Sequence, residues 1–418
     1  MTERRDRSLP IRDAWARTLL AALLLLAGLV APQVETAPAS AAIDDDVLRS
    51  ELRADLQAHL QARGVAEHVS AAGLSVSLPD RRESIDVSAG TTTFGGSEQV
   101  HPSSVWQIGS NTKAFTSVLL LQLEAEGRLS IDDPLGRWLP QYPQWRDVSI
   151  RRLLNMTSGI PTYDDQAAFL ADYAADPQTY FSAERLAGYA VGAAATSGYS
   201  YSNTNYVLAE MLIERVTGES YRHELEQRLI EPLGLEDLYY REHRYPSSVT
   251  RREPAGYFAD AGEPALAGLV GRDVSRDTLS WARGAGGILS TTSDMTRWER
   301  ALYAGRLLPA AQQAELTSLV STATGQPIER TSASDPTGFG LGVAQLTAEP
   351  IGTFWFYEGE TLGFRTLHVF LPDSDVIIAM GLNSHPADDQ DQIGDLAVAV
   401  YRTLVAQQVI AVPAGAGA

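Results

Sequence analysis

One lysine stands among the 33 basic residues of this chain; the rest are arginines. It is Lys113, in the segment Ile108-Gly109-Ser110-Asn111-Thr112-Lys113, three residues after a serine. Arginine keeps its proton at any physiological pH, whereas a lysine taken out of water can lose its proton and act as a base. Residues three apart on a helix share a face, so Ser110 and Lys113 fall within side-chain reach. A hydroxyl beside a neutral amine is an activated serine nucleophile. Genome composition also favours arginine over lysine, and Ser-x-x-Lys occurs in helices that do no chemistry. The surrounding sequence has to separate the two readings.

Such a pair also needs a proton shuttle and a place for the developing oxyanion. Tyr199-Ser200-Tyr201-Ser202-Asn203-Thr204-Asn205-Tyr206 offers the first. The Tyr201 hydroxyl could relay protons, and Asn203 could orient Lys113 and meet a substrate carbonyl. A helix cap at Ser202 or Asn203 is the plainer alternative. Tyr357-Glu358-Gly359-Glu360-Thr361-Leu362-Gly363-Phe364 offers the second. Gly359 in an edge strand would let a substrate backbone approach closely, with a backbone N–H just beyond it as half of an oxyanion hole. A hairpin turn with exposed glutamates is the alternative there.

These segments need elements to position them. Residues 44–63 repeat apolar side chains for one helix face, and two strand-like runs follow, Leu74–Leu78 and Ser84–Val87, with Pro79-Asp80 as the turn. Thr112 to Glu126 is apolar nearly all round, the mark of a helix buried mid-domain. Ser110 then sits at the N-terminus of a central helix, where N–H groups favour negative charge and burial lowers the pKa of Lys113. Helices are expected at Tyr206–Val216, Tyr221–Ile230 and Thr292–Ala304, the last capped by Ser293 or Asp294. The Pro- and Gly-rich stretch from about residue 245 to 287 reads as a loop overhanging the site. Strands are expected at Thr353–Tyr357, Phe364–Leu371 and Val376–Leu382, and a closing helix from Gln392 to Leu404. Sheet at both ends with helices between predicts an α+β fold.

Composition narrows the function. The 418 residues carry a net charge of −19 and no basic patch, which argues against nucleic acid as a partner. There are no cysteines, so disulfides, thiolate metal sites and cysteine catalysis are excluded. The seven histidines form no metal-ligand cluster, so no metal is expected. Arg4, Arg5, Arg7, Arg12 and Arg17, an apolar run from Leu19 to Val30 and a small-residue stretch through Ala42 read as an export signal cleaved near Ala41 or Ala42. The run is too short to span a bilayer comfortably, so no stable membrane span is expected in the mature chain.

Ser-x-x-Lys, Tyr-x-Asn about 90 residues later and a late strand motif with glycine resemble the penicillin-recognising serine hydrolases. The class C β-lactamase-like branch, which includes D-alanyl-D-alanine carboxypeptidases, D-aminopeptidases and esterases, is the nearest match. Leu129–Pro134, Leu153–Gly159, Glu231–Leu235, Gly286–Thr291 and Gly338–Gly342 are similar to it as well, in order. The resemblance implies a β-lactamase/transpeptidase-like fold: an antiparallel sheet flanked by terminal helices, with an inserted all-α domain. The implied division is signal peptide 1–42, catalytic domain 43–410 and disordered tail 411–418. Within the catalytic domain, the sheet subdomain covers about 43–108 and 325–410 and the helical one about 109–324.

The resemblance also implies roles. Ser110 attacks a carbonyl, Lys113 and Tyr201 share the work of the base, and the Ser110 and Glu360 N–H groups hold the oxyanion, without cofactor or metal. Asn203, Tyr357, Gly359, Glu360 and Arg365 are the expected substrate contacts. Family members carry lysine or histidine where Tyr357 stands, a cation that helps hold a substrate carboxylate; Arg365 is the candidate replacement. The expected function is an exported D-alanyl-D-alanine carboxypeptidase-like hydrolase acting on a small molecule or cell-wall peptide. Esterase, D-aminopeptidase and β-lactamase activities are alternatives within the family, and a catalytically silent peptide-binding scaffold is the alternative outside it. Glu358 and Glu360 would suit a substrate bearing a free amine.

Overall fold

The computed structural model describes residues 44–79, 81–349 and 351–410. The expected export signal, the 411–418 tail and Asp80 of the expected turn lie outside them. Fourteen strands are present among the described residues: β1 (Ala71–Ser77), β2 (Ile85–Gly90), β3 (Trp106–Gln107), β4 (Leu238–Tyr240), β5 (Tyr257–Ala259), β6 (Ile288–Ser290), β7 (Leu319–Ser321), β8 (Pro327–Ile328), β9 (Thr337–Phe339), β10 (Ala344–Ala348), β11 (Gly352–Thr361), β12 (Phe364–Leu371), β13 (Val376–Leu382) and β14 (Ser384–Pro386). Nine of them form one antiparallel sheet in the order β2-β1-β13-β12-β11-β10-β9-β7-β8. The first hairpin therefore pairs directly with the last long strand, Leu74 opposite Met380. This is the antiparallel α+β architecture that the sequence predicts.

The Asp45–Arg63 helix starts at an Asp44 cap and buries Leu48, Leu52 and Leu56, the stripe its periodicity requires. It packs on β2 and against the closing helix, Ile393–Ala406. On the face of β1 carrying Gly73 and Ser75 lie Trp106 and the Thr292–Tyr303 helix: the Trp106 ring fills the space above Gly73 and Gly381, and Ser75 Oγ is 2.8 Å from Thr292 Oγ1. That helix is capped by Thr291, which accepts from Asp294 N, and not by Ser293 or Asp294 as the sequence suggests. Phe115 stacks on its Trp298 with ring centroids 3.7 Å apart, joining it to the Thr112–Ala125 helix.

The Thr112–Ala125 helix is buried from Thr112 through Leu121, as its apolar circumference predicts. The second-motif helix begins at Asn203, three residues ahead of the first apolar residue used to place it, and ends at Gly218 in the left-handed region. The expected Tyr221–Ile230 helix is helical throughout but widens into a π turn over Glu226–Ile230. Short strands punctuate the helical region. β3, β6 and β4 form a three-stranded sheet, and β5 runs parallel to β14. Among the described residues no helix is long and apolar enough to cross a membrane.

Candidate active site

Ser110 lies in a single 3-10 turn, Gly109–Asn111, that leads into the buried Thr112–Ala125 helix. The turn is pressed against the end of β11. A side chain on Gly109, which has φ +50°, would overlap the Glu360 backbone, and one on Gly359 would overlap Ile108 O. A Cβ on Gly359 would also stand 2.9 Å from Ser110 N. Two glycines thus let turn and strand touch, which brings the Ser110 and Glu360 N–H groups into one neighbourhood. This corrects one expectation: the missing side chain of Gly359 makes room for the nucleophile's own turn and not for substrate.

Lys113 is completely buried. Its Nζ is 2.9 Å from Ser110 Oγ, 2.7 Å from Asn203 Oδ1 and 2.8 Å from Ala285 O. The last two are carbonyl oxygens and can only accept. A neutral amine spends its two hydrogens on them, and its lone pair is left facing the Ser110 hydroxyl. Burial lowers the Lys113 pKa to about 7, opposed in part by Asp164, so the neutral form is accessible at neutral pH.

The Tyr201 hydroxyl donates to Ser110 Oγ at 2.8 Å, and the Tyr357 hydroxyl donates to Tyr201 at 3.1 Å. Burial pushes both phenols above their ordinary pKa. They stay protonated at neutral pH, so Lys113 is the group of the three that can accept a proton there. Asn203 takes Lys113 on Oδ1 and donates from Nδ2 to Asp164 Oδ2 at 2.7 Å, which fixes its amide the right way up. This is the contact with Lys113 that the sequence suggests. Ser202, the residue before this helix, makes no capping bond from its side chain.

Two further expectations are corrected. Tyr357 is 2% exposed and turns its hydroxyl to Tyr201, so it extends the hydroxyl chain and does not present itself to substrate. Arg365 is 0% exposed. It donates to Ser384 O at 2.9 Å and Glu67 Oε2 at 2.8 Å and pairs with Asp391, which leaves it no part in holding a substrate carboxylate. Sequence reasoning missed Asp164 and Ala285, because an acid behind an asparagine and a backbone oxygen leave no spacing to read.

Ser110, Tyr201 and Asn203 open on a cleft of about 450 Å³. The expected overhang is present: Phe258, Leu266 and Trp281 form part of its wall, facing Phe169, Leu170 and Tyr173. Eight lining residues are carboxylic, among them Asp164, Asp260, Glu358, Glu360 and Asp388, and among the described residues no arginine or lysine lines it. Burial, and after it the crowding of neighbouring carboxylates, raises Glu360 to about 8 and Asp388 to about 7. Arg365 lies beneath, where it holds Asp391 below its ordinary value against the pull of burial.

A family model described as beta-lactamase matches residues 55–402. The chain belongs to the beta-lactamase family. Among curated relatives it is 28% identical over 278 residues to "Penicillin-binding protein 4*" of Bacillus subtilis, covering 64% of this chain and 58% of that protein. It is 27% identical over 206 residues to "Protein flp" of Staphylococcus aureus, covering 47% and 38%. The match thus spans less than two thirds of these relatives' length. Among solved structures, a D-stereospecific amidohydrolase from Streptomyces sp. superposes with a TM-score of 0.69 at 29% identity, over 84% of this chain and 97% of that one. A D-amino acid amidase from Ochrobactrum anthropi SV3 shares the fold, with a TM-score of 0.73 at 22% identity, over 86% and 99%.

Proposed function

We propose that this member of the beta-lactamase family is a serine hydrolase that cleaves an amide or peptide bond beside a free amino group, through an acyl-Ser110 intermediate. The observation that carries the chemistry is the three-way contact of Lys113 Nζ, with two carbonyl acceptors and one hydroxyl. In the proposed sequence Ser110 Oγ bonds to the carbonyl carbon while its proton passes to Lys113. The carbonyl electrons move to oxygen, facing the Ser110 and Glu360 N–H groups; losing one such donor typically costs about 2.7–4 kcal/mol of barrier. Tyr201 gives its proton to the leaving nitrogen as the C–N bond breaks, and the proton on Lys113 restores the phenol. Water then adds to the ester, its proton taken along the same route, and Ser110 leaves with its hydrogen.

The acidic lining, which among the described residues includes no arginine or lysine, supports an ammonium group on the substrate, and the aromatic wall supports an apolar side chain beside it. The likeness to the Streptomyces D-stereospecific amidohydrolase supports the D configuration. The carboxypeptidase reading needs a cation for the terminal carboxylate, and Arg365, the candidate, is spent elsewhere. It therefore stands second, supported by the penicillin-binding relatives. Esterase and β-lactamase activities are further arms of the same test, and intact hydroxyl–amine contacts weigh against a silent scaffold. Export after cleavage near Ala41 or Ala42 belongs to the proposal, and N-terminal sequencing of secreted protein checks it.

A fluorescent phosphonate should label the wild type and not Ser110→Ala. A D-amino acid amide with a free amine should then exceed its N-acetyl analogue by at least ~10-fold in kcat/KM, the scale of one charged contact. Failure to label folded wild type would sink the acyl-serine reading. Preference for the N-acetyl analogue, for D-Ala-D-Ala peptides, for short esters or for a cephalosporin would sink the amine reading alone.

A further inference from the structure

Beneath the Ser110 turn lies a set of polar side chains that the proposed chemistry leaves unused. His368 on β12 is 1% exposed, and Glu299 on the Thr292–Tyr303 helix is 0% exposed. His368 Nδ1 is 2.7 Å from Asn111 Oδ1 and 3.2 Å from Glu299 Oε1, and its Nε2 is 2.9 Å from the Tyr303 hydroxyl. An amide oxygen only accepts, so this contact assigns the ring hydrogen to Nδ1 and leaves Nε2 to accept from Tyr303. Burial holds the ring neutral, its pKa lowered to about 3, and raises the Glu299 carboxyl well above its ordinary value. The two are therefore neutral neighbours and not an ion pair.

Asn111 converts that donated hydrogen into geometry at the nucleophile. Its Nδ2 is 3.1 Å from Ile108 O and 3.0 Å from Thr366 Oγ1, and Thr366 Oγ1 donates to Ile108 O at 2.9 Å. Ile108 and Asn111 bracket Gly109 and Ser110. The same Nδ2 lies 2.7 Å from where a Cβ of Gly359 would stand. The Asn111 amide is thus wedged between the turn, β11 and β12. An amide can rotate half a turn and exchange its oxygen and nitrogen with little change of shape. Ile108 O only accepts and so calls for Nδ2 on its side, and the Nδ1 hydrogen of His368 holds Oδ1 on the other.

We propose that His368 is a positioning residue for the nucleophile: its Nδ1–H fixes the Asn111 amide that ties the Ser110 turn to β11 and β12, and so aligns Ser110 Oγ with the Ser110 and Glu360 N–H groups. It acts through Asn111 and is not among the residues lining the cleft. Burying imidazole, carboxyl and phenol together costs desolvation that an apolar trio would avoid, so the network is a poor device for stability alone. The inference rests on Ser110 as the nucleophile, which wild-type phosphonate labelling checks first and separately.

The test compares the two amide replacements. In His368→Asn the side-chain N–H stands where Nδ1 was. In His368→Gln the amide stands nearer Nε2 and the donor to Asn111 is gone. His368→Gln should lose ~10–100-fold in kcat and in the phosphonate labelling rate with KM nearly unchanged, the scale of a small misplacement of a reacting group. His368→Asn should stay within ~3-fold of wild type whatever the order of the two melting temperatures, and in an Asn111→Ser background His368→Gln should cost nothing more. Equal activity of the two variants, losses that multiply in the double variant, or activity that follows melting temperature would each overturn the proposal. Should His368→Gln fail to fold, Asn111→Ser alone must reproduce its expected loss, and wild-type rates in that variant would overturn the proposal equally.

Discussion

Lys113 touches two oxygens that can only accept and one that can either accept or donate. A protonated amine spends its third hydrogen on Ser110 Oγ and blunts the nucleophile. A neutral amine receives the serine hydrogen instead. The same three contacts serve both states, so pH alone decides between them. With the Lys113 pKa lowered to about 7 by burial, kcat/KM should climb through an acid limb near pH 7 and level off above it. An arginine there keeps its charge, so Lys113→Arg should lose ~10²–10⁴-fold and show no such limb. Stability follows the same shift. An unfolded lysine titrates at about 10.4, so between about pH 7 and that value the unfolded chain binds the extra proton and stability rises with pH. Below pH 7 the full cost of charging a buried amine is present. Urea melts at pH 7, 8.5 and 10 should show wild type gaining steadily on Lys113→Met; a constant difference would mean that the amine remains charged in the fold.

At the scale of elements, the site exists because two strands beside β11 stop at different places. β10 pairs with it only as far as Phe356, whereas β12 continues to Thr361. The segment Tyr357–Thr361 is left with an open edge, and the Ser110 turn occupies it. Gly359→Ala would drive a methyl group into Ile108 O, an overpacking that costs about 1–3 kcal/mol. Relief requires turn and strand to part, so phosphonate labelling should fall by ~10²-fold, well beyond what the shift in urea midpoint explains. Labelling at the wild-type rate would show that the contact does not align the nucleophile. The sequence made part of this legible. Val376–Leu382 is a continuous apolar run and Phe364–Leu371 a largely apolar one between Gly363 and Pro372, and both read correctly to the residue. β11 read short, because Glu358 and Glu360 break the apolar pattern although both belong to the strand. The Asn203 helix read late because Asn203 and Asn205 face Lys113 and Ser158 rather than an apolar neighbour. Arg365 could be placed on a strand, but not on a face, since Glu67 and Asp391 that claim it are distant in sequence.

For the whole molecule, 52 acidic residues against 33 basic ones give a net charge of −19, and the cleft concentrates that excess. The buried guanidinium of Arg365 is shared by Glu67 and Asp391, and burial raises Glu358 and Glu360 so far that they gain charge only when an ammonium group comes beside them; at neutral pH the field rests on the other carboxylates of the lining. A cleft lined by one sign of charge raises the local concentration of the opposite ion and can speed its arrival by 10–10³-fold at low salt. That attraction is screened over about 10 Å at 0.1 M salt. A substrate with a free amine should therefore lose several-fold in kcat/KM between about 0.02 and 0.5 M salt, the change falling on KM rather than kcat. Its N-acetyl analogue, acted on by the same serine, should respond little. The comparison isolates the field from the chemistry because Lys113 and Tyr201 are buried, stand at close range to Ser110, and are common to both substrates. Equal salt responses would place the ammonium outside the acidic wall and return the carboxypeptidase reading to first place.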